Sequence, residues 1–158
     1  AMMPPTPFKF VQTPGLTLIL YETWVDFRQI FTDGRKLPET QQPSWYGYSI
    51  GHWEGETLVI ESSNIRYNEH SHFGTQYDGM TDENLRVTER FTRTAPDVLL
   101  YQFTVEDPGM YTRPYTGEIT MWPSKDPVYE YACHEGNYSM PLILSGARAD
   151  EAAGKTAK

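Results

Sequence analysis

The amino-acid sequence predicts a mostly β protein: an antiparallel meander that closes into a lipocalin-like barrel and ends in a short helix. Two observations favour this fold class. Short apolar runs rich in β-branched and aromatic residues alternate with turn signals at regular spacing, and few of them have a helical period. The runs number about eight to ten, the size at which an antiparallel sheet closes on itself or folds into a β-sandwich, which is the alternative.

The elements follow from local chemistry. Residues 1–10 are proline-rich and predict an extended N-terminal arm. Residues 11–136 form the predicted β domain, whose last strand is expected at 128–134. Residues 137–158 are alanine-rich towards their end and favour a helix or tail of the same domain. The turns of the β domain are expected at Pro14-Gly15, Asp33-Gly34, Glu54-Gly55-Glu56, Ala95-Pro96-Asp97 and Pro123 to Pro127.

Charge and composition restrict the possible partners. The chain of 158 residues carries a net charge of -8, which argues against binding to nucleic acid or to anionic membrane surfaces. No apolar stretch is long enough to span a bilayer. Aromatic residues make up 14% of the chain and can fill a β core or line a pocket for sugars and other ring-bearing ligands. Phosphate-loop, serine-hydrolase and zinc-protease motifs are not found in the sequence.

A polar segment at residues 64–84 interrupts the meander. Loops longer than about 12 to 15 residues are uncommon in compact domains and often form lids or binding loops. The segment contains His70 and His72, whose spacing places two imidazoles on one side of an extended chain. Together with Asp78 or His134 they give a weak indication of a divalent metal, and no other cofactor is indicated.

The stretch VYEYACHEGNY at residues 128–138 brings three reactive residue types together. In a strand, Cys133 and His134 point to opposite faces, so they cannot form the thiolate–imidazole pair of a nucleophilic site. Cys133 is therefore predicted to be a packed residue or a free thiol. His134 and Glu135 lie where the strand ends and can converge with the 64–84 loop at one rim of the barrel.

Two further residues are candidates for acid–base chemistry. Glu89 alternates with Val87 and Phe91 and so shares the core face, where a carboxylate needs a partner. Arg113 lies at the entry to a strand after a bend, which is again a rim position. We therefore expect His70 or His72, Arg113 and His134 to meet in one cleft, with Glu89 reaching it from the wall.

Four segments resemble those of a family of uncharacterised, exported bacterial proteins. The family shows W-E-G-[DE]-T-L-V, E-R-F-x-R, [VI]-x-D-P-x-x-[YFW]-[TS]-[KR]-P and Y-x-C-x-E-[GN]-N segments. Here they correspond to Trp53–Val59, Glu89–Arg93, Val105–Pro114 and Tyr131–Asn137, and the resemblance covers most of residues 8–148. It implies export and a single domain, but no chemistry. It also implies that an upstream cysteine in longer members can pair with Cys133.

Two function hypotheses follow. The first is an exported β-barrel that binds a small organic ligand and carries out acid–base chemistry of the isomerase or lyase type. Its catalytic residues would be His70, His72, Asp78, Glu89, Arg113, His134 and Glu135. The second is a non-enzymatic secreted module that binds glycans or self-associates through strand edges and the N-terminal arm.

Overall fold

The structure, a computed structural model, describes residues 7–23, 26–40, 42–66, 81–132 and 135–154. Within these ranges the chain forms one sheet of eight strands, which curls into a half-barrel, and one helix. The strands are β1 (Phe8–Thr13), β2 (Leu16–Tyr21), β3 (Asp26–Phe31), β4 (Tyr48–Glu54), β5 (Thr57–Ser63), β6 (Arg86–Ala95), β7 (Val98–Glu106) and β8 (Tyr115–Met121). The helix is α1 (Ser139–Ala152). The predicted mostly β fold with a C-terminal helix is confirmed.

Four of the predicted turns are present in the structure, each between two strands or directly after one. The β1–β2 hairpin turns at Gly15 and the β4–β5 hairpin at Gly55, both with positive φ (75° and 60°), a conformation that glycine adopts without a Cβ clash. Strand β3 is followed by Gly34 (φ 84°), and β6 and β7 are joined at Pro96-Asp97.

One pairing departs from the predicted antiparallel meander. The strands lie in chain order across the sheet, but β3 and β4 run parallel and share only the pairs Ile30↔Ser49 and Phe31↔Ile50. A parallel pair needs a longer connection than a hairpin turn, and 16 residues (32–47) separate the two strands in the sequence. Every other neighbouring pair is antiparallel.

The core lies on the concave face of the curled sheet. Its main cluster draws on strands β2, β3, β5, β6 and β7 and contains Ile19, Tyr21, Ile30, Leu58, Ile60, Phe91 and Tyr101. The Phe10 ring of β1 meets the Phe91 ring of β6 edge-on, with centroids 5.1 Å apart, which shows how far the sheet curls. A second cluster, Ile65, Leu85, Val87 and Val105, fills the end of the half-barrel near the start of β6.

Two C-terminal predictions need correction or qualification. Residues 128–132 form no strand, so the predicted strand at 128–134 is wrong over its described part; Cys133 and His134 lie outside the described residues. The face argument for Cys133 therefore loses its basis. The helix α1 has no buried residue. In the described ranges, no helix has the length and apolar character that crossing a membrane requires.

Candidate functional site

The two most deeply buried charged side chains among the described residues form an ion pair inside the half-barrel. Nη1 of Arg28 lies 2.6 Å from Oε2 of Glu89, and the two side chains are 1% and 0% exposed. Arg28 comes from β3 and Glu89 from β6, so the pair bridges the two intervening strands. The prediction that Glu89 lies on the core face with a partner is correct, and the charged partner is Arg28.

Hydroxyl groups complete this buried network. Arg28 donates from Nε to Oγ of Ser49 (3.1 Å) and from Nη2 to Oγ of Ser62 (2.6 Å). The hydroxyl of Tyr101 donates to Oε1 of Glu89 at 2.7 Å. Burial, the largest single effect, would by itself lower the pKa of Arg28, but the Glu89 carboxylate and the Tyr21 hydroxyl together outweigh it and the pKa is raised. The arginine is therefore a fixed cation. The network is closed to solvent, and its role is to hold strands β3 to β7 together.

A polar cleft opens at the end of the sheet where β5 and β7 finish and β6 and β8 begin. Its volume is about 510 Å³. The second core cluster forms its floor through Leu85. The polar and aromatic residues that line it are Glu39, Ser63, Asn64, Glu83, Asn84, Arg86, Glu106, Asp107, Tyr111, Thr112 and Arg113, and the remaining walls are Pro38, Pro108 and Pro114.

Asp107 is the buried carboxyl group of this cleft. It is 2% exposed, and its Oδ1 has no hydrogen-bond partner within the described residues. Its Oδ2 accepts a hydrogen bond from the backbone N–H of Asp82 at 2.8 Å. The Asp107 carbonyl oxygen accepts from the backbone N–H groups of Met110 (3.1 Å) and Tyr111 (2.8 Å), which fixes the turn after β7.

Asp82 and Asp107 form a pair of carboxyl groups whose proton affinities diverge. Burial raises the pKa of Asp107, and the adjacent Asp82 carboxylate raises it further. The backbone N–H of Asn84, which donates to Oδ1 of Asp82 at 2.6 Å, lowers the pKa of Asp82. Asp107 therefore holds a proton more tightly than Asp82 does. The pair connects the 82–85 turn to the turn that begins at Asp107.

Asn64 gives the cleft an unusual backbone position. It has φ 55°, the one positive φ outside glycine in the described residues, and its Oδ1 accepts a hydrogen bond from Oγ of Ser63 at 2.7 Å. Asparagine tolerates this left-handed conformation better than most residues because its amide can bond locally. Such conformations often persist at ligand sites because the surrounding structure enforces them.

Two exposed arginines face the same cleft. Arg86 starts β6 opposite Glu106 of β7, and Arg113 follows the bend after Tyr111. Neither forms an ion pair within the described parts of the chain. The half-buried ring of Tyr111 packs edge-on against Tyr115, with centroids 5.3 Å apart. The cleft thus combines hydrogen-bond donors, acceptors and an aromatic ring.

The predicted site residues are only partly brought together. Arg113 lines the cleft as expected from its rim position, whereas Glu89 lies in the buried network and is not part of the cleft wall. Glu135 is exposed in the turn before α1 and does not line the cleft either. His70, His72, Asp78 and His134 lie outside the described residues.

The described residues contain no group of three or more His, Cys, Asp or Glu side chains placed to hold a metal ion. The suggested metal at His70 and His72 falls outside those residues and stays a prediction.

Sequence reasoning missed the pair Asp82 and Asp107, as well as Arg86 and Asn64. Asp107 opens the segment DPG, which indicates a turn, and nothing in the pattern shows that the turn buries its carboxyl group. Asn64 ends the apolar run of β5, where an asparagine in the left-handed region is a recognisable terminator.

Comparisons with known proteins add no assignment: no protein family, no curated protein and no solved structure matches the chain. The resemblance to the exported bacterial family therefore stays a prediction.

Proposed function

We propose that the protein is an exported small-molecule-binding protein whose ligand is a small polyhydroxylated molecule of the sugar class, bound in the cleft at the end of the sheet. The observation that carries this proposal is the lining itself. A volume of about 510 Å³ falls in the range typical of small-ligand sites, about 300–1,000 Å³. Export rests on the family resemblance alone.

The polar groups of the cleft fit hydroxyl groups, each of which donates and accepts hydrogen bonds. Carboxylates such as Glu83 and Glu106 accept, the guanidinium groups of Arg86 and Arg113 donate, and the Asn64 amide can do both. The ring of Tyr111 offers an apolar surface to the C–H face of a sugar ring. A neutral ligand is favoured over an anion because carboxyl groups outnumber arginines in the cleft and the net charge is -8.

Binding can be tested by titrating the protein with a panel of neutral monosaccharides and disaccharides while amide chemical shifts are recorded. We expect saturable shifts confined to the cleft residues. Arg86→Ala should weaken binding, whereas Arg93→Ala, at the other end of the same strand, should leave it unchanged. Shifts spread over the whole surface, or equal effects of the two variants, would show that the cleft is not the site.

Acid–base catalysis is the second candidate function. Its candidate catalytic residue is Asp107 and not Glu89, because Glu89 does not line the cleft. The Asp107 and Asp82 pair supplies two adjacent carboxyl groups whose pKa values shift in opposite directions, an arrangement that suits proton transfer to and from a substrate. Abstraction of a carbon-bound proton would introduce deuterium into a bound sugar in D₂O. Deuterium incorporation that Asp107→Asn abolishes while binding persists would support this activity, and unlabelled ligand would exclude it.

A further inference from the structure

The turn that follows β7 contains an aspartyl–prolyl peptide bond, Asp107–Pro108, and the chain has a second bond of this kind at Asp126–Pro127. The proline nitrogen belongs to a tertiary amide and is more basic than that of an ordinary peptide, so it leaves more readily once it is protonated. A carboxylate is one of the nucleophiles that form covalent intermediates, and its attack on the carbonyl carbon of its own residue closes a five-membered ring. The aspartate side chain can therefore cleave the peptide bond that follows it.

The carbonyl group of the first of these bonds is held by two donors. The oxygen of Asp107 accepts hydrogen bonds from the backbone N–H groups of Met110 at 3.1 Å and Tyr111 at 2.8 Å. Backbone N–H groups in this position stabilise the negative charge that a carbonyl oxygen acquires when a nucleophile adds to its carbon. Asp126 and Pro127, by contrast, are exposed, and within the described ranges no backbone N–H donates to the carbonyl oxygen of Asp126. The structure therefore activates one of the two bonds and not the other.

The carboxyl group of Asp107 is restrained on one side and has one oxygen available. Its Oδ2 accepts a hydrogen bond from the backbone N–H of Asp82 at 2.8 Å, whereas its Oδ1 is buried and has no hydrogen-bond partner in the part of the chain that the structure describes. The Asp82 side chain lies against the backbone of the same turn, since a Cβ at Gly109 would collide with its Oδ2. The 82–85 turn thus limits the rotation of the Asp107 carboxyl group, and no donor competes for the lone pairs of Oδ1.

We infer that the protein cleaves its own chain at Asp107–Pro108. Oδ1 of Asp107 attacks the carbonyl carbon of the same residue, and the negative charge that develops on the carbonyl oxygen is stabilised by the N–H groups of Met110 and Tyr111. When this intermediate collapses, the electron pair of the C–N bond passes to the Pro108 nitrogen, which takes a proton from water, and Asp107 is left as a cyclic anhydride. The hydroxide from that water then opens the anhydride. A single water is consumed, and the products are residues 1–107 with a new carboxylate and residues 108–158 with a new amine.

Cleavage changes one wall of the cleft without separating the two pieces. Strand β8 stays paired with β7 through the ladder that runs from Leu99↔Met121 to Val105↔Tyr115. The new end begins at Pro108 and is followed by Arg113, and both residues line the cleft. The cut therefore frees the turn that closes this side of the cleft, and only a separation under denaturing conditions shows that the chain is in two parts.

Incubation of the full chain at mildly acidic pH, followed by denaturing gel electrophoresis and mass spectrometry, tests the inference. Far-UV circular dichroism establishes that the sheet is intact at the pH used. In the folded protein we expect cleavage at Asp107–Pro108 to be at least about tenfold faster than at Asp126–Pro127, which is less than the factor of about 100 that one well-placed donor contributes in an enzyme. In the urea-unfolded chain the two bonds should be cleaved at similar rates, because neither carbonyl group keeps its donors. Equal rates in the folded protein, or an intact Asp107–Pro108 bond, would overturn the inference.

Variants and a trapping reagent test the chemistry of the step. Asp107→Glu keeps a carboxyl group but has to close a six-membered ring, and Pro108→Ala replaces the leaving group by an ordinary peptide nitrogen, so each should suppress cleavage at this bond. Asp126→Glu is the matched control and should leave it unchanged. Hydroxylamine present during the incubation should appear as a hydroxamate at the end of the 1–107 fragment, because it opens an anhydride. Undiminished cleavage in Asp107→Glu, or a fragment that carries only free carboxyl groups, would exclude attack by the Asp107 side chain.

Discussion

The guanidinium of Arg28 and the carboxylate of Glu89 meet at 2.6 Å across the interior of a curled sheet, although their strands are not neighbours. Strands β4 and β5 lie between them and contribute Ser49 and Ser62, whose hydroxyls hold the other nitrogens of Arg28. A charge pair in this position joins strands that no backbone ladder connects.

Removing one partner should therefore be costly. For Glu89→Gln and for Arg28→Met we expect a loss of about 3–5 kcal/mol in the free energy of unfolding, because each leaves the other charge buried without its counterion. Urea denaturation followed by tryptophan fluorescence measures the loss. The double variant Arg28→Met/Glu89→Leu should recover much of the stability of the single variants, since it removes both buried charges.

The exposed pair Arg90 and Glu54 serves as the comparison. Nη2 of Arg90 and Oε2 of Glu54 are similarly close, at 2.7 Å, but both side chains are at least 40% exposed. Water and salt therefore screen the attraction. Glu54→Gln should leave stability unchanged within error. A loss as large as that of Glu89→Gln would contradict the importance given to burial.

Gly47 and Gly55 form a second matched pair, with φ 64° and 60°. A Cβ at Gly47 would collide with the carbonyl oxygen of Ser63 and lie 2.7 Å from Cγ1 of Ile65, whereas a Cβ at Gly55 would meet nothing within 4 Å. Gly55→Ala should cost about 1 kcal/mol for the left-handed backbone alone. Gly47→Ala should cost more by thermal denaturation, and equal losses would rule out the steric contact.

The Asp82 and Asp107 pair predicts opposite dependences of stability on pH. The raised pKa of Asp107 means that its contribution is fully present below the ordinary value of 3.8 and is lost as the pH rises through the raised pKa. The lowered pKa of Asp82 gives a contribution present above 3.8 and lost as the pH falls through the lowered pKa. We therefore expect Asp107→Asn to become more stable relative to wild type as the pH rises, and Asp82→Asn less stable.

Urea unfolding of the three proteins at a series of pH values between about 2 and 7 measures both trends. Stability differences that do not change with pH would contradict the divergence of the two carboxyl groups.

Variants at Asn64 separate the effect of backbone geometry on stability from the effect of the side-chain amide on ligand binding. Asn64→Gly keeps the left-handed conformation available, and Asn64→Ala should cost about 1 kcal/mol more in stability than Asn64→Gly. Both variants lose the amide, so both should weaken sugar binding. If Asn64→Gly binds as well as wild type, the amide does not contact the ligand.

The hairpins could be predicted from the sequence because a turn depends on a few adjacent residues, as Gly15 and Gly55 show. The burial of Glu89 could be predicted too, since alternation with Val87 and Phe91 fixes its face. Its partner could not, because Arg28 reaches it across two intervening strands. The rim position of Arg113 could be predicted because adjacent residues encode the bend beside it. The burial of Asp107 could not be predicted, because it depends on packing against the 82–85 turn, which is distant in the sequence.

The short parallel contact between β3 and β4 has a kinetic consequence. Strands β4 to β8 are joined by antiparallel ladders between neighbours in sequence, and the chain needs little loop closure to form them. Strands β1 to β3 attach through two backbone pairs, the side chain of Arg28 and core contacts such as that of Phe10 with Phe91, all of which exist only once β4, β5 and β6 are in place. We expect folding to proceed in this order, with the N-terminal three strands arriving last and detaching first. Amide hydrogen exchange should then be faster in β1 to β3 than in β5 to β7.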